Sequence, residues 1–196
     1  MVIPDLKSNG PAGLVIGISG GICAGKTTAA RLLERHGFAY TRFSLVIDDE
    51  IRSRGEVPNR VARQRVGTEV HTEKGQRWLC ERVIDRVPGQ PFIVVDGLRF
   101  PEDHAFFGER FGSQFVHLHL DAPDAIREKR YTESSQGELS FGDADRQPVE
   151  AEIDHLSGFA TAIVSNSGTI DELEKAVVRF ASEQSRQELP CPSPSS

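Results

Sequence analysis

The chain is poor in cysteine. Its three thiols, Cys23, Cys80 and Cys191, are odd in number and far apart, with no paired ligand spacing. That pattern argues against both a disulfide framework and a structural zinc site. Long apolar runs are missing as well: no stretch approaches the roughly 20 residues that a membrane-spanning helix needs. The opening MVIPDLKSNGPAG has neither the basic start nor the apolar centre of a signal peptide, so a cytoplasmic location is expected. Net positive charge is absent too. A formal charge of -6 disfavours coating nucleic acid or an anionic membrane, without excluding a local basic pocket. No internal repeat is present. What remains is 196 residues with 38% hydrophobic content, enough for one domain with a full core.

The most informative stretch is Val15 to Arg31, VIGISGGICAGKTTAAR. A β-branched apolar run leads into Gly20-Gly21-Ile22-Cys23-Ala24-Gly25-Lys26-Thr27-Thr28, and helix-favouring residues follow. This strand, glycine loop and helix fit the phosphate-binding pattern G-x-x-x-x-G-K-[ST]. Backbone N–H groups of such a loop point inward at an anion, and the helix presents its positive end to the same place. Lys26 is placed to reach the β- and γ-phosphates of a nucleoside triphosphate, and the Thr27 hydroxyl to ligate Mg²⁺. The plainer alternative is a glycine-rich turn with a chance lysine. Cys23 reads as a small filler of the loop.

The rest of the chain alternates strand and helix. Residues 1–13 are expected to form a flexible arm. A helix over Lys26 to His36 stops at Gly37, and Phe38 to Ser44 is a second strand. A helix from Leu45 to Arg54 ends at Gly55. A helix or helix pair spans about Asn59 to Arg86, interrupted near Gly67 or Gly75. Pro91 to Asp96 reads as a central parallel strand. Pro101 to Phe111 is helical, Phe115 to Asp121 a fourth strand, and Pro123 to Tyr131 another helix. Thr132 to Gln147 reads as a mobile polar loop, and Val149 to Leu156 as a short helix. Ala160 to Ser165 is the fifth strand and Thr169 to Ser182 an amphipathic closing helix. Residues 184–196 read as a disordered tail. Such alternation implies an α/β fold with a parallel sheet, whose ligands bind at the carboxyl ends of the strands.

Residues at those ends supply the rest of the expected site. Asp96 closes a strand where a carboxylate can hold Mg²⁺ beside Thr27; alternatively it caps the helix at Pro101. Arg99 is placed for an acceptor's phosphate, or is solvated. Asp48, Arg52, Arg60, Arg63 and Arg65 follow the second strand. Guanidinium forks match phosphate oxygens bidentately, which suggests an acceptor-nucleotide site, although charge runs are often solvated faces. Arg127 and Arg130 precede the polar loop that ends near Arg146 and suggest a lid closing over the transferring group. With Glu128, Lys129 and Glu133 they are otherwise an ordinary charged helix face. His117 and His119 share one strand face and read as core histidines.

On these residues the chain resembles the P-loop nucleotide kinases of the nucleoside-monophosphate-kinase and dephospho-coenzyme-A-kinase group. The runs Arg63 to Val70 and Val94 to Glu102 are similar to phage-type deoxynucleoside monophosphate kinases. The overall layout, with Ala122-Pro123-Asp124, Arg127 and SNSGTIDELEKAV, resembles archaeal dephospho-coenzyme-A-kinase-like or adenylate-kinase-like proteins. The resemblance covers about residues 14–182. It implies a three-layer P-loop NTPase fold with five parallel strands in a kinase domain over 14–183, a helical acceptor-binding insert at about 45–87, and a lid at about 127–147. It also implies ATP and Mg²⁺ as cofactors and a small-molecule nucleotide acceptor, in a monomer or homodimer.

Position by position, the resemblance supports Gly20, Gly25, Lys26, Thr27 and Thr28 at the donor, Asp96 near the metal, and Arg127 and Arg130 at the lid. Gly21, Ile22, Cys23 and Ala24 complete the donor loop, while Ser44, Arg52, Arg60, Arg63, Gln64 and Arg99 are assigned to the acceptor. Dephospho-coenzyme-A kinases carry an aspartate just after the second strand that can accept a hydroxyl proton. Here the acid, Asp48, lies four residues after Ser44. A monophosphate acceptor attacks through an oxygen already ionised and needs no strong base, which favours that class. Transfer to a sugar hydroxyl with Asp48 as base, and a nucleotide-gated binding protein with slow hydrolysis, are the other two readings.

Overall fold

The computed structural model describes residues 13–134, 140–145 and 148–187. The expected arm at residues 1–12, Cys191 and the rest of the tail at 188–196, and Arg146 lie outside the described residues.

Strand β1 (Leu14–Ser19) is buried throughout, as its β-branched composition dictates for a strand covered on both faces. It sits at the centre of a five-stranded parallel sheet with β2 (Ala39–Arg42), β3 (Phe92–Asp96), β4 (Phe115–Asp121) and β5 (Ala162–Ser165), in the order β2-β3-β1-β4-β5. The register pairs Ile18 with Asp96 and Ser19 with His119. Ser19, Asp96 and His119 thus lie side by side at the carboxyl ends of the three inner strands, next to the loop that follows β1.

The two-residue period of β1 divides the core. Leu14, Ile16 and Ile18 face helices α1 (Lys26–Arg35) and α8 (Ile170–Gln187), packing with Leu33, Leu118, Val177 and Phe180. Val15 faces the opposite layer with Val95. That layer holds α2 (Phe43–Ser53), α3 (Arg60–Asp85), α4 (Pro101–Phe111) and α7 (Pro148–Ser157). They contribute Ile51, Val66, Val70, Val83, Phe107 and Leu156. Each fully buried side chain of this size stabilises the fold by about 1.5–3 kcal/mol, so both faces of the sheet are anchored. Among the described residues no helix is long and apolar enough to cross a membrane.

Several boundaries differ from those the sequence suggests. β2 ends at Arg42, because its pairing partner β3 ends at Asp96 opposite it. Ser44 therefore opens α2 instead of closing a strand. Asn59 starts α3 by accepting the Ala62 N–H on Oδ1 at 2.9 Å. The interruption in α3 falls at Gly75, with φ 80° and ψ 166°, not at Gly67, which stays helical. In the polar stretch, helix α5 (Asp124–Ser134) continues past Tyr131, and a further short helix, α6 (Phe141–Asp145), follows. The Phe141 ring meets Tyr131 edge-on at 5.8 Å, an apolar contact that the polar composition around it obscures. The closing helix runs on to Gln187, where buried Ser185 donates its hydroxyl to the Ala181 carbonyl at 2.9 Å. Residues 184–187 are thus helix and not tail.

Candidate active site

The loop between β1 and α1 is shaped by backbone conformations that few side chains tolerate. Gly25 adopts φ 101° and ψ 17°, the left-handed region where a Cβ is costly. A Cβ there would also overlap the Asn166 amide, which donates to the Ala24 carbonyl at 2.8 Å. Cys23, with φ 57°, is the one non-glycine described residue with positive φ. Backbone strain of this kind persists where the surroundings hold the chain in a required shape. Helix α1 begins at Lys26 with no side-chain cap and no acidic residue in its first turn, so its leading N–H groups and dipole are available to an anion. Lys26 Nζ donates to the Gly20 and Gly21 carbonyls at 2.6 and 2.8 Å.

At the back of this loop the Thr27 hydroxyl donates to Asp96 Oδ2 at 2.8 Å. The Tyr40 hydroxyl reaches the same oxygen at 3.0 Å. Burial, together with the adjacent Asp96 charge, pushes the Tyr40 phenol up to about 12, so it stays protonated and donates. A hydroxyl and a carboxylate side by side form a hard oxygen set of the type Mg²⁺ accepts when phosphate oxygens supply the remaining ligands. Among the described residues no three His, Cys, Asp or Glu come together as a metal cage. Ser19, just before the loop, has its hydroxyl 2.7 Å from His117 Nε2 and 2.8 Å from His119 Nδ1. Burial lowers His117 to about 3, so it is neutral, and both rings belong to the sheet interior.

Two clefts flank the loop. One, of about 710 Å³, is lined by Cys23, Gly25 to Thr28, Arg130, Asn166, Gly168 and Ile170. The other, of about 670 Å³, lies under α2 and α3 and takes Ile22 as its loop contact. Its walls carry Phe43, Ser44, Arg60, Arg63, Gln64, His71, Gln76, Arg99, Phe100 and Asp103. Both volumes suit a small molecule. Ile22 lines one cleft and Cys23 the other, so the loop lies between them.

Of the expected acceptor residues, Ser44, Arg60, Arg63, Gln64 and Arg99 come together in the second cleft. Arg52 does not line it; it pairs with Asp49 at 3.1 Å on the exposed side of α2. Asp48 is not on the cleft wall either. It is buried, and both its oxygens are taken by Arg63, Oδ1 by Nε at 2.6 Å and Oδ2 by Nη2 at 2.9 Å. The Arg63 guanidinium outweighs burial and holds the Asp48 carboxyl below the usual range. An aspartate fixed in this way is a weak proton acceptor, so the geometry does not favour it as a base.

Arg127 is clamped over the loop. Its guanidinium bonds Asp145 at 2.5 Å and Asp124 at 2.8 Å, and reaches the Ile22 carbonyl at 3.4 Å. Burial works against its charge, but the two carboxylates raise its pKa further above the ordinary arginine value. Arg130 sits lower and ties two loops, donating to the Asn166 carbonyl at 2.9 Å and the Cys23 carbonyl at 3.4 Å.

Sequence reasoning missed Tyr40, His71, Gln76, Asp103 and Asp145. Asp103 had a local signal, being the third residue of a helix opened by Pro101, a position that caps. It accepts the Arg99 and Phe100 N–H groups on Oδ2 at 2.8 and 3.1 Å, fixing the turn that carries Arg99. Tyr40, Gln76 and Asp145 owe their place to partners 56, 27 and 18 residues away, whereas His71 bonds Gln76 five residues on and stacks on the distant Phe100.

No protein-family model matches the chain. Among curated relatives, a UPF0200 protein of Pyrobaculum aerophilum is 27% identical over 169 residues, covering 83% of this chain and 94% of its own. Among solved structures, TT1252 from Thermus thermophilus superposes with a TM-score of 0.57 at 20% identity, covering 88% of this chain and 98% of its own. Dephospho-CoA kinase from Campylobacter jejuni superposes with a TM-score of 0.56 at 13% identity, covering 90% and 100%. The chain therefore has the α/β fold of P-loop kinases, with its five parallel strands, as the sequence resemblance implies.

Proposed function

We propose that the protein transfers the γ-phosphoryl group of Mg-ATP to a nucleoside or deoxynucleoside monophosphate. The observation that carries this reading is the second cleft. It opens onto the phosphate loop and is lined by Arg60, Arg63 and Arg99, while both of its nearby carboxylates, Asp48 and Asp103, are already committed to internal partners. An arginine-lined cleft without a disengaged carboxylate suits an acceptor that brings its own ionised oxygen.

In this reading residues 14–183 form the kinase domain, with an acceptor-binding insert at about 45–87 and a lid at about 127–147. Loop amides from Gly20 to Thr28 and the Lys26 ammonium hold the triphosphate. Thr27 and Asp96 would hold Mg²⁺, which would supply charge neutralisation for the triphosphate. Arg60, Arg63 and Arg99 orient the monophosphate so that one of its oxygens faces the γ-phosphorus. A new P–O bond forms there while the bond to the β-bridging oxygen breaks, leaving ADP. Arg127, released from Asp145, covers the equatorial oxygens, and Arg130 holds the donor side. Catalysis is positioning plus charge stabilisation.

Transfer to a sugar hydroxyl would require Asp48 or Asp103 to leave its partners. The test is ADP formation in a coupled assay with ATP and each ribo- and deoxyribonucleoside monophosphate, beside dephospho-coenzyme A. At least one monophosphate is expected to raise ADP well above the ATP-only background. Folded protein that gives none with any monophosphate refutes the reading.

A further inference from the structure

One wall of the acceptor cleft is a chain of hydrogen bonds that ends on a ring. Asp103 is fully buried and its Oδ2 is occupied by two backbone N–H groups, those of Arg99 and Phe100. Its Oδ1 faces Gln76 Nε2 at 2.5 Å and the Cys80 thiol at 3.3 Å. Burial pushes the Asp103 carboxyl up from its ordinary value, against the pull of these donors; in its ionised form it acts only as an acceptor, which turns the Gln76 NH₂ group inward. The Gln76 carbonyl oxygen is then left pointing the other way, where it lies 3.0 Å from Nδ1 of His71. Turning the amide over would set its carbonyl against the carboxylate, replacing a short bond with a repulsion between two acceptors. In that bond, which is exposed to solvent, the Gln76 orientation makes Nδ1 of His71 the donor. Its ring lies over Phe100, with centroids 5.5 Å apart and planes 30° apart, which fixes its tilt. The remaining polar atom of that ring is Nε2, a lone-pair acceptor, and His71 lines the cleft.

We propose that His71 reads the acceptor's base, its Nε2 accepting a hydrogen bond from an exocyclic amino group, so that the cleft selects monophosphates of the adenine or cytosine type over their 6-oxo or 4-oxo counterparts. The inference rests on the monophosphate reading above. Asp103 and Gln76 are positioning residues, since they act through the ring. A neutral ring nitrogen attracts an amino group and repels the carbonyl oxygen that hypoxanthine or uracil carries in the same place. Fixing the tautomer is what turns that contrast into discrimination, because a ring free to move its proton would serve either base.

Two measurements test this at about pH 8.5. In long-range ¹⁵N–¹H correlation spectra of the full chain, with the His71 signals assigned by their loss in His71→Phe, the ring is expected as the Nδ1–H tautomer. Finding Nε2–H overturns the proposal. In steady-state assays wild type is expected to favour AMP over IMP, or CMP over UMP, by roughly tenfold or more in kcat/KM. His71→Phe keeps a ring over Phe100 and should bring the ratio within about threefold, the KM for ATP staying as it was. Gln76→Met leaves the ring in place but frees its tautomer, and should also narrow the ratio. If His71→Phe does not fold, Gln76→Met decides. Equal use of amino and oxo partners by wild type, or a ratio untouched in the variants, overturns the role of His71 while leaving the monophosphate reading intact. Absence of transfer to any monophosphate overturns both.

Discussion

Replacing Asp48 by asparagine separates the two uses a carboxylate can have beside an acceptor cleft. In the folded protein Asp48 makes two charge-assisted bonds to Arg63, and its side chain is 7% exposed against 47% for Arg63. A fully buried pair broken on one side costs about 3–5 kcal/mol, and an exposed pair about 0–1 kcal/mol. With one partner buried and the other half in solvent, the loss should lie between, at about 1–2 kcal/mol. Asparagine keeps one acceptor oxygen but turns an NH₂ group toward the guanidinium, so Arg63 loses its fixed pose at the cleft wall. Expressed on acceptor binding, that energy is a rise in the acceptor's KM of roughly 5–30-fold, with kcat within about threefold. The same loss should lower the melting temperature by about 2–8 °C.

The pH dependence has a definite sign. Arg63 holds the Asp48 carboxyl below its usual value, so its contribution to stability is complete above the unfolded carboxyl pKa of about 3.9 and fades as pH falls through the lower folded value. The gap between wild type and Asp48→Asn in urea melts should therefore be widest near neutrality and close in strong acid. Steady-state kinetics with a saturating and a varied acceptor decide the case. A base would show as a fall in kcat of about 10²–10⁴-fold at unchanged acceptor KM, and that result would refute both the positioning role and the preference for an ionised acceptor.

Other perturbations address separate parts of the molecule. Gly25→Ala should weaken ATP binding at least roughly tenfold by calorimetry, because its φ of 101° and the adjoining Asn166 amide leave no place for a methyl group. Gly55→Ala, at φ 77° but with open space around it, should lower the melting temperature without changing ATP affinity. Arg127→Ala should cut kcat by about 10²–10³-fold with a much smaller change in ATP affinity; an unchanged kcat in stopped assays would remove Arg127 from the reaction. Leu118→Ala empties a fully buried position in the central part of the sheet and should cost about 2–5 kcal/mol in urea unfolding.

What the sequence made legible was local. The phosphate loop could be read because strand, glycines, lysine and helix are adjacent in the chain. The run ending at Asp96 was readable because strands buried on both faces are nearly all apolar. The arginines of the second cleft were found through their spacing, yet spacing could not tell Arg63, which lines the cleft, from Arg52, which pairs outward with Asp49. Only the tertiary fold makes that distinction, by setting α3 against α2. The bonds from Tyr40 to Asp96 and from Gln76 to Asp103 span 56 and 27 residues, and no periodicity reports contacts at that range. Helix α6 escaped for a related reason. Its supports, Phe141 on Tyr131 and Asp145 on Arg127, are supplied by α5, and five residues of mixed polarity hold no helical signal of their own.

The strand order has a consequence for how such a molecule can change. Because β1 lies in the middle, everything lining the arginine-bearing cleft apart from Ile22 is drawn from residues 43–103, whereas the other cleft is built from residues 23–28 and 130–173. One contiguous length of chain walls one cleft, and segments on either side of it wall the other. Exchanging the helical segment between β2 and β3 is thus a way to reshape the arginine-bearing cleft while leaving the loop after β1 and its bond from Thr27 to Asp96 in place.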